Sequence, residues 1–480
     1  MQLAGRRSIA PRLARPLVVV AGAVAAAGAG RLSAARSPLV AGGLIAGGAF
    51  VVAALRRPPL ALFGLIAVVA LLPFGVLPVR LGLAPTLLDL TTLLVFLIWL
   101  ALAAAGRAPA RLTAPGAALL AFAAVSAAAY ILSGDALRAD EYGRTFLKLV
   151  LATLVFLPVL NLAARPETVR RLIGWLLLAA GAEAFAGLVL YAAPRALSYR
   201  ALVALGPLGY PTDGSVLRYR PDTEILRATG TSVDPNMLGA LLMVAGAIAC
   251  AVVLAPRPAL PRWLTGGSLA IILPCLLLTE SRGSWLGLAA GAGLVALLRH
   301  RRLLVAGLLL LPLLLVTPAA ARYTDHLVSG LRAQDRASAM RIGEIENALA
   351  VIADHPWFGA GWGEGGQSIE LSFTLGVSNI FLTVAERSGL PATVAYLAAL
   401  ATLGGTLWPA VRRRRRDPAD DGLLLGCAAA LTGALVAGML DHHFVRFPHL
   451  VTLLWVVAGL AVSLALAPDA ARAPGGRRRR

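Results

Sequence analysis

Apolar runs of about 17–20 residues recur along the whole chain, separated by short polar stretches. At 1.5 Å per residue, a helix of that length crosses roughly 30 Å of hydrocarbon. Lipid offers no hydrogen bonds to the backbone, so such runs predict helices rather than open strands. The pattern predicts an all-α polytopic integral membrane protein with about 12–14 transmembrane helices. The first falls at about 17–30, the eleventh at about 303–320 and the last at about 449–466. In this reading residues 1–480 form a single polytopic membrane domain.

Two intervals break the rhythm, 194–235 and 321–378, and both exceed an ordinary connection. The second carries its own period. Ala339, Ile342, Ile345, Leu349 and Ile352 recur at three- and four-residue spacing. That spacing predicts an amphipathic helix starting near Asp335 and ending before Pro356, with Arg336, Arg341, Glu344 and Asn347 on its polar surface. Glycines at 359, 361, 363, 365 and 366 follow, interleaved with Trp357, Phe358 and Trp362. The aromatics fit interfacial anchors better than sugar platforms.

Composition removes the soluble class: 58% of residues are hydrophobic, 14% are charged, and the mean hydropathy is +0.78. A net charge of +20 would suit nucleic acid, but its distribution does not. The basic residues fall in clusters between apolar runs, at Arg56-Arg57, Arg170-Arg171, Arg299 to Arg302, Arg412 to Arg416 and Arg477 to Arg480. These read as topology signals, and they place both termini in the cytoplasm. "RLSAARS", after the first span, is the exception. The first 30 residues also imitate a secretory signal, with twin Arg6-Arg7; a retained first helix is the favoured reading. Cys250, Cys275 and Cys427 lie in apolar runs without metal or disulfide spacing, as packing residues do.

This topology puts 194–235 and 321–378 outside the cytoplasm, together with the turns "TESRG" and "DHHFVRFP". ATP is absent there and the chain has no P-loop, so a substrate must arrive already activated. No cofactor and no metal is expected. In "RATGTSVDPNMLG", Asp234 suits a helix N-cap and Pro235 the first helical position. Arg227 is either a headgroup anchor or a phosphate ligand. In "TESRGSWLGL", Arg282 stands at the membrane edge and needs an anionic partner, either Glu280 or a bound diphosphate. The guanidinium fork suits phosphate better than lysine does, and Lys148 is the only lysine. In "SNIFLTVAERSGLPA", Asn379 and Glu386 are seven residues apart on about the same helical face.

These stretches, in this order over about 227–392, together with "ENALAVIADHPWFGAGWG", resemble the O-antigen ligase and Wzy-type polysaccharide polymerase superfamily. The resemblance implies the C-type glycosyltransferase architecture and a metal-independent, inverting glycosyl transfer at the outer face of the cytoplasmic membrane. The implied donor is a glycan on a polyprenyl diphosphate such as undecaprenyl diphosphate. The implied acceptor is a glycan or a lipid, with membrane lipid and envelope-assembly proteins as further partners. Arg227 and Arg282 match the arginines that hold the diphosphate; Asn236, Asn379, Glu386 and Arg341 are the other substrate-binding candidates. The position of the family's catalytic His is Ser378, and a hydroxyl does not replace imidazole as a base. Either another His serves, with His442 and His443 beside Asp441 as the candidates, or positioning and leaving-group stabilisation suffice, or the chain has left glycosyl transfer. The competing functions are a transporter or lipid flippase, for which Asp89 is the main signal, and a non-catalytic partner in envelope assembly.

Overall fold

Helices in this protein begin where a short polar side chain meets a proline or an apolar run. The computed structural model describes residues 38–76, 85–133, 142–220, 223–302, 305, 328, 332, 336–362, 376–413 and 417–467. The expected first span, most of the eleventh, Asp335 and the terminal arginines lie outside the described residues. In chain order the helices are α1 Pro38–Arg56, α2 Pro59–Leu71, α3 Leu87–Ala104 and α4 Ala114–Leu132. Next come α5 Tyr142–Leu154, α6 Phe156–Leu162, α7 Pro166–Ala192 and α8 Arg195–Val203. Then follow α9 Pro235–Val253, α10 Arg262–Leu278, α11 Arg282–Arg299 and α12 Arg336–Asp354. The last are α13 Ile380–Arg412, α14 Pro418–Gly438, the short α15 His443–Arg446 and α16 Pro448–Leu466.

Side chains of Thr86, Thr113, Asp234, Asn379 and Asp417 accept the first orphan amides of α3, α4, α9, α13 and α14. Asp234 and Pro235 cap and start α9 as their sequence suggests. Thr86 and Asp89 form a reciprocal capping box, and Asp89 also meets Lys148 at 2.9 Å. The acid that pointed toward a transporter therefore has two local partners at a helix end.

Among the described residues, eight helices are long and apolar enough to cross a membrane, and three apolar helices are shorter. The protein is an all-α, multi-pass membrane protein. Burial separates centre from periphery. The apolar windows of α9 and α16 are 83% and 89% buried, whereas that of α3 is 22% buried and turns most of its surface outward, as a lipid-facing helix does. Small residues bring α11 and α14 together. A Cβ on Gly287 would lie 2.6 Å from the Gly433 carbonyl oxygen, and one on Gly291 2.6 Å from that of Ala429. Backbones this close are the small-xxx-small mode of packing between membrane helices.

The interval 194–235 contains more structure than its sequence advertises. It holds α8, two single-turn 3₁₀ helices and a hairpin-like pairing in which Arg227 N–H donates to Arg218 C=O at 2.8 Å and Arg220 N–H to Ile225 C=O at 2.9 Å. These elements are too short to show an apolar period.

Two of the quoted motifs fold as one unit. At Gly389, φ is +79° and α13 kinks. The amides of Ala360 and Gly361 donate to the carbonyls of Glu386 and Arg387, Leu390 N–H donates to Pro356 C=O, and Trp362 Nε1 donates to Ser388 Oγ at 2.9 Å. A side chain on Gly389 would run into the Trp357 carbonyl. The "HPWFGAGW" turn is thus clamped onto the kink in "ERSGLPA", and glycine is required by both its φ and the contact.

Candidate functional site

One end of the bundle opens into a cavity of about 820 Å³. It lies where α9 and α11 begin, where α14 gives way to the 439–447 turn, and beneath one face of α12 and the 218–227 pairing. Arg218, Arg220, Arg227, Arg282 and Arg341 line it, with the acids Asp234, Glu280, Glu344 and Asp441. Asn236, Ser378, His442 and His443 line it too. Seven sequence-predicted residues therefore share one cavity: Arg227, Arg282, Arg341, Asn236, Ser378, His442 and His443. The starts of α9 and α11 face it, and helix N-termini favour anions.

Each arginine is held differently. Arg227 donates from Nε to the Thr279 carbonyl at 2.7 Å and from a terminal nitrogen to Asn236 Oδ1 at 2.6 Å. Burial lowers its pKa, against the opposing pull of Asp234, Glu280 and Asp441; an arginine stays cationic regardless. Arg220 reaches Glu280 at 3.4 Å, 60 positions away in sequence. Arg282 lies 3.5 Å from Ser338 Oγ on α12. Arg341, one turn further along α12, lies 3.9 Å from Asp441. Among the described residues, the two non-glycine residues with φ > 0, Val233 at 62° and Glu280 at 52°, both line the cavity. Positive φ is a genuine outlier for a β-branched residue, and such strain of about 1–3 kcal/mol gathers at functional sites.

Ser378 donates its backbone N–H to Glu344 Oε2 at 3.0 Å. Burial raises the pKa of Glu344, while its bonds to Ser378 and the charge of Arg341 oppose that rise. A carboxylate from α12 thus stands against Ser378. Opposite it, His443 Nδ1 lies 2.6 Å from Asp441 Oδ1. Burial would weaken His443 as a base, but Asp441 outweighs it and the His443 pKa is raised. Burial likewise pushes the Asp441 carboxyl up, yet the neighbouring imidazoles and Arg341 hold it well below the usual carboxylate range. His442 is the contrast. Its Nδ1 is 3.7 Å from Asp441 without a hydrogen bond, and burial lowers its pKa to about 4.

Two expected site residues stand outside the cavity lining. Asn379 caps α13 with its amide oxygen and donates from Nδ2 to the Met439 carbonyl at 3.1 Å, tying α13 to the turn that carries Asp441. Glu386 is buried beside Arg387, at 3.8 Å, next to the kink. Arg218, Arg220 and Glu344 were not among the sequence candidates for substrate binding. The signal for the first two is the alternation in "LRYR" ahead of the turn-forming "PD", which places two arginines on one side of an extended segment. Glu344 is one turn from Arg341 on the same face of α12.

The family model described as O-Antigen ligase matches residues 267–397, which run from α10 through the first turns of α13. No curated protein matches the chain. The match includes Arg282, Arg341, Glu344, Ser378, Asn379 and Glu386, and leaves Arg218, Arg220, Arg227, Asn236 and the Asp441–His443 turn outside. Residues 267–397 are thus similar to the O-antigen ligase family, and that match supports a ligase/polymerase-type role in glycan handling for this multi-pass membrane protein.

Proposed function

We propose that the protein is a glycosyltransferase that moves a glycan from a polyprenyl diphosphate to a hydroxyl of a glycan or lipid acceptor. The observation that carries this reading is the convergence of five arginines on one cavity at the end of a membrane bundle. A diphosphate presents several anionic oxygens at once, and planar guanidinium forks from different elements match them. Arg227 and Arg282 grip the diphosphate, Arg218, Arg220 and Arg341 complete the charge around it, and Asn236 holds Arg227 in place. As the glycosyl bond breaks, negative charge grows on the leaving diphosphate, where preorganised donors lower the barrier most. The whole chain acts as one membrane domain in this proposal. The cavity faces outward from the cytoplasmic membrane and both termini face inward, in keeping with the basic clusters at the far ends of the helices.

The test is transfer by the purified protein in liposomes carrying an undecaprenyl-diphosphate-linked oligosaccharide. Arg227→Ala and Arg282→Ala should each lower transfer at least about 100-fold, since hydrogen bonds to charged groups contribute about 1.5–3 kcal/mol each. Both variants should still insert. Near-normal product from Arg282→Ala would remove the diphosphate assignment. Sidedness is checked with an impermeant thiol reagent on intact cells after opening any outer envelope: Gly214→Cys should react and Arg413→Cys should not.

A further inference from the structure

The Ser378 hydroxyl cannot serve as a general base, and the structure offers an imidazole on the same cavity. We propose that His443, held by Asp441, is the general base that activates the acceptor hydroxyl. This rests on the transferase reading above and adds a residue that the matched segment does not contain. Asp441 is the positioning residue. Its Oδ1 accepts a hydrogen bond from His443 Nδ1–H at 2.6 Å, which leaves Nε2 as the acceptor in the neutral ring. His443 lines the cavity on whose other walls Arg282, Arg227 and Ser378 stand.

The alternatives on the same cavity are worse placed. His442 has no hydrogen bond to Asp441 through its ring; it stacks with His443 and lies tilted against Phe447. Glu344 is engaged with the Ser378 amide. The Asn379 amide bonded to Met439 C=O fixes the start of the turn, two residues before Asp441, so the dyad is anchored to α13.

The step balances without a co-reactant. The acceptor oxygen forms a bond to the anomeric carbon as its proton passes to His443 Nε2. The bond from that carbon to the diphosphate oxygen breaks, and its electron pair leaves with the polyprenyl diphosphate. The arginines hold the extra negative charge, and the imidazolium later loses its proton to water.

The groups that set the His443 proton affinity come from several elements. Asp441 and His442 lie on its own turn, Asp234 on the cap of α9, Arg341 on α12 and His449 at the start of α16; Arg446, on the same turn, acts on His442. Asp441 dominates the rise. A base must be neutral, so activity increases as pH rises through this pKa, and the acid limb lies above the ordinary histidine value of 6.5.

The experiment is the pH profile of transfer by the full chain in liposomes, paired with binding of undecaprenyl diphosphate. His443→Gln should lower transfer by about 10²–10⁴-fold, abolish the acid limb and leave undecaprenyl diphosphate binding unchanged. Asp441→Asn, which keeps the imidazole, should move the limb to lower pH. A His443→Gln enzyme within about threefold of wild type, or one whose acid limb persists, would overturn the assignment. If His443→Gln fails to insert, Asp441→Asn decides alone, and an unmoved limb overturns it. Absence of transfer by the wild type at every pH is a different failure, that of the transferase reading itself.

Discussion

At the end of the bundle remote from the cavity, Arg299 meets Asp421 through two nitrogens, each at 3.1 Å, and Arg170 bridges Asp417 at 2.6 Å and Asp420 at 3.0 Å. At the cavity end, the ion-pair contacts of Arg220 and Arg341 stretch to 3.4 and 3.9 Å, and Arg227 is pinned by neutral oxygens. The same side chain therefore does two jobs. Where each guanidinium has its own carboxylate at bonding distance, it joins helices. Where the ion-pair contacts of Arg220 and Arg341 are longer and Arg227 is oriented by amide and carbonyl oxygens, the proposed function directs their charge to an outside anion.

Mutations can break this contrast from either side. The largest effect on stability is expected at the remote end. Arg299→Ala leaves Asp421 largely buried without its fork and should cost about 3–5 kcal/mol, read as earlier thermal unfolding, with transfer per folded molecule unchanged. A drop in turnover without a stability change would erase the distinction between the ends. At the cavity end, Arg282→Lys keeps the charge and loses the fork. Transfer should fall by about 10–100-fold while the melting temperature stays within a degree or two. The smallest effect is expected at Lys148, whose pair with Asp89 is partly exposed. Lys148→Ala should cost about 1 kcal/mol or less and leave transfer intact. A larger loss of transfer there would revive a role for Asp89 beyond its cap.

What could be read from the chain was whatever is local in sequence. Apolar run length gave the membrane class, and Asp234-Pro235 announced the start of α9. The "DHH" turn put an acid beside two imidazoles, though only the fold tells them apart: His443 bonds to Asp441 and His442 does not. Contacts between distant segments were hidden. Nothing near Glu280 points to Arg220, and nothing near Ser378 points to Glu344, 34 positions earlier. The amphipathic period of α12 was legible, but not its direction. Ser338 and Ala348 are buried and Arg341 and Glu344 turn to the cavity, while Ile342, Ile345 and Leu349 are exposed. In water the apolar stripe would face the core; at a lipid boundary it faces out, and the period is the same in both cases.

The contact between α11 and α14 carries a mechanical consequence. Bilayers vary in thickness, and membrane helices answer a mismatch by tilting. Here two crossing points, Gly287 against Gly433 and Gly291 against Ala429, bring backbone against backbone with only alanine methyls beside them. Measured from the midpoint of the two contacts, Arg282 lies seven residues away, about 10 Å at helical rise, and Arg299 ten residues, about 15 Å. A helix rocking about that fulcrum moves its Arg299 end through a somewhat longer arc than its Arg282 end. The larger share of such rocking thus falls on the arginine held by a bidentate carboxylate, and the Arg282 end, nearer the contacts, moves less.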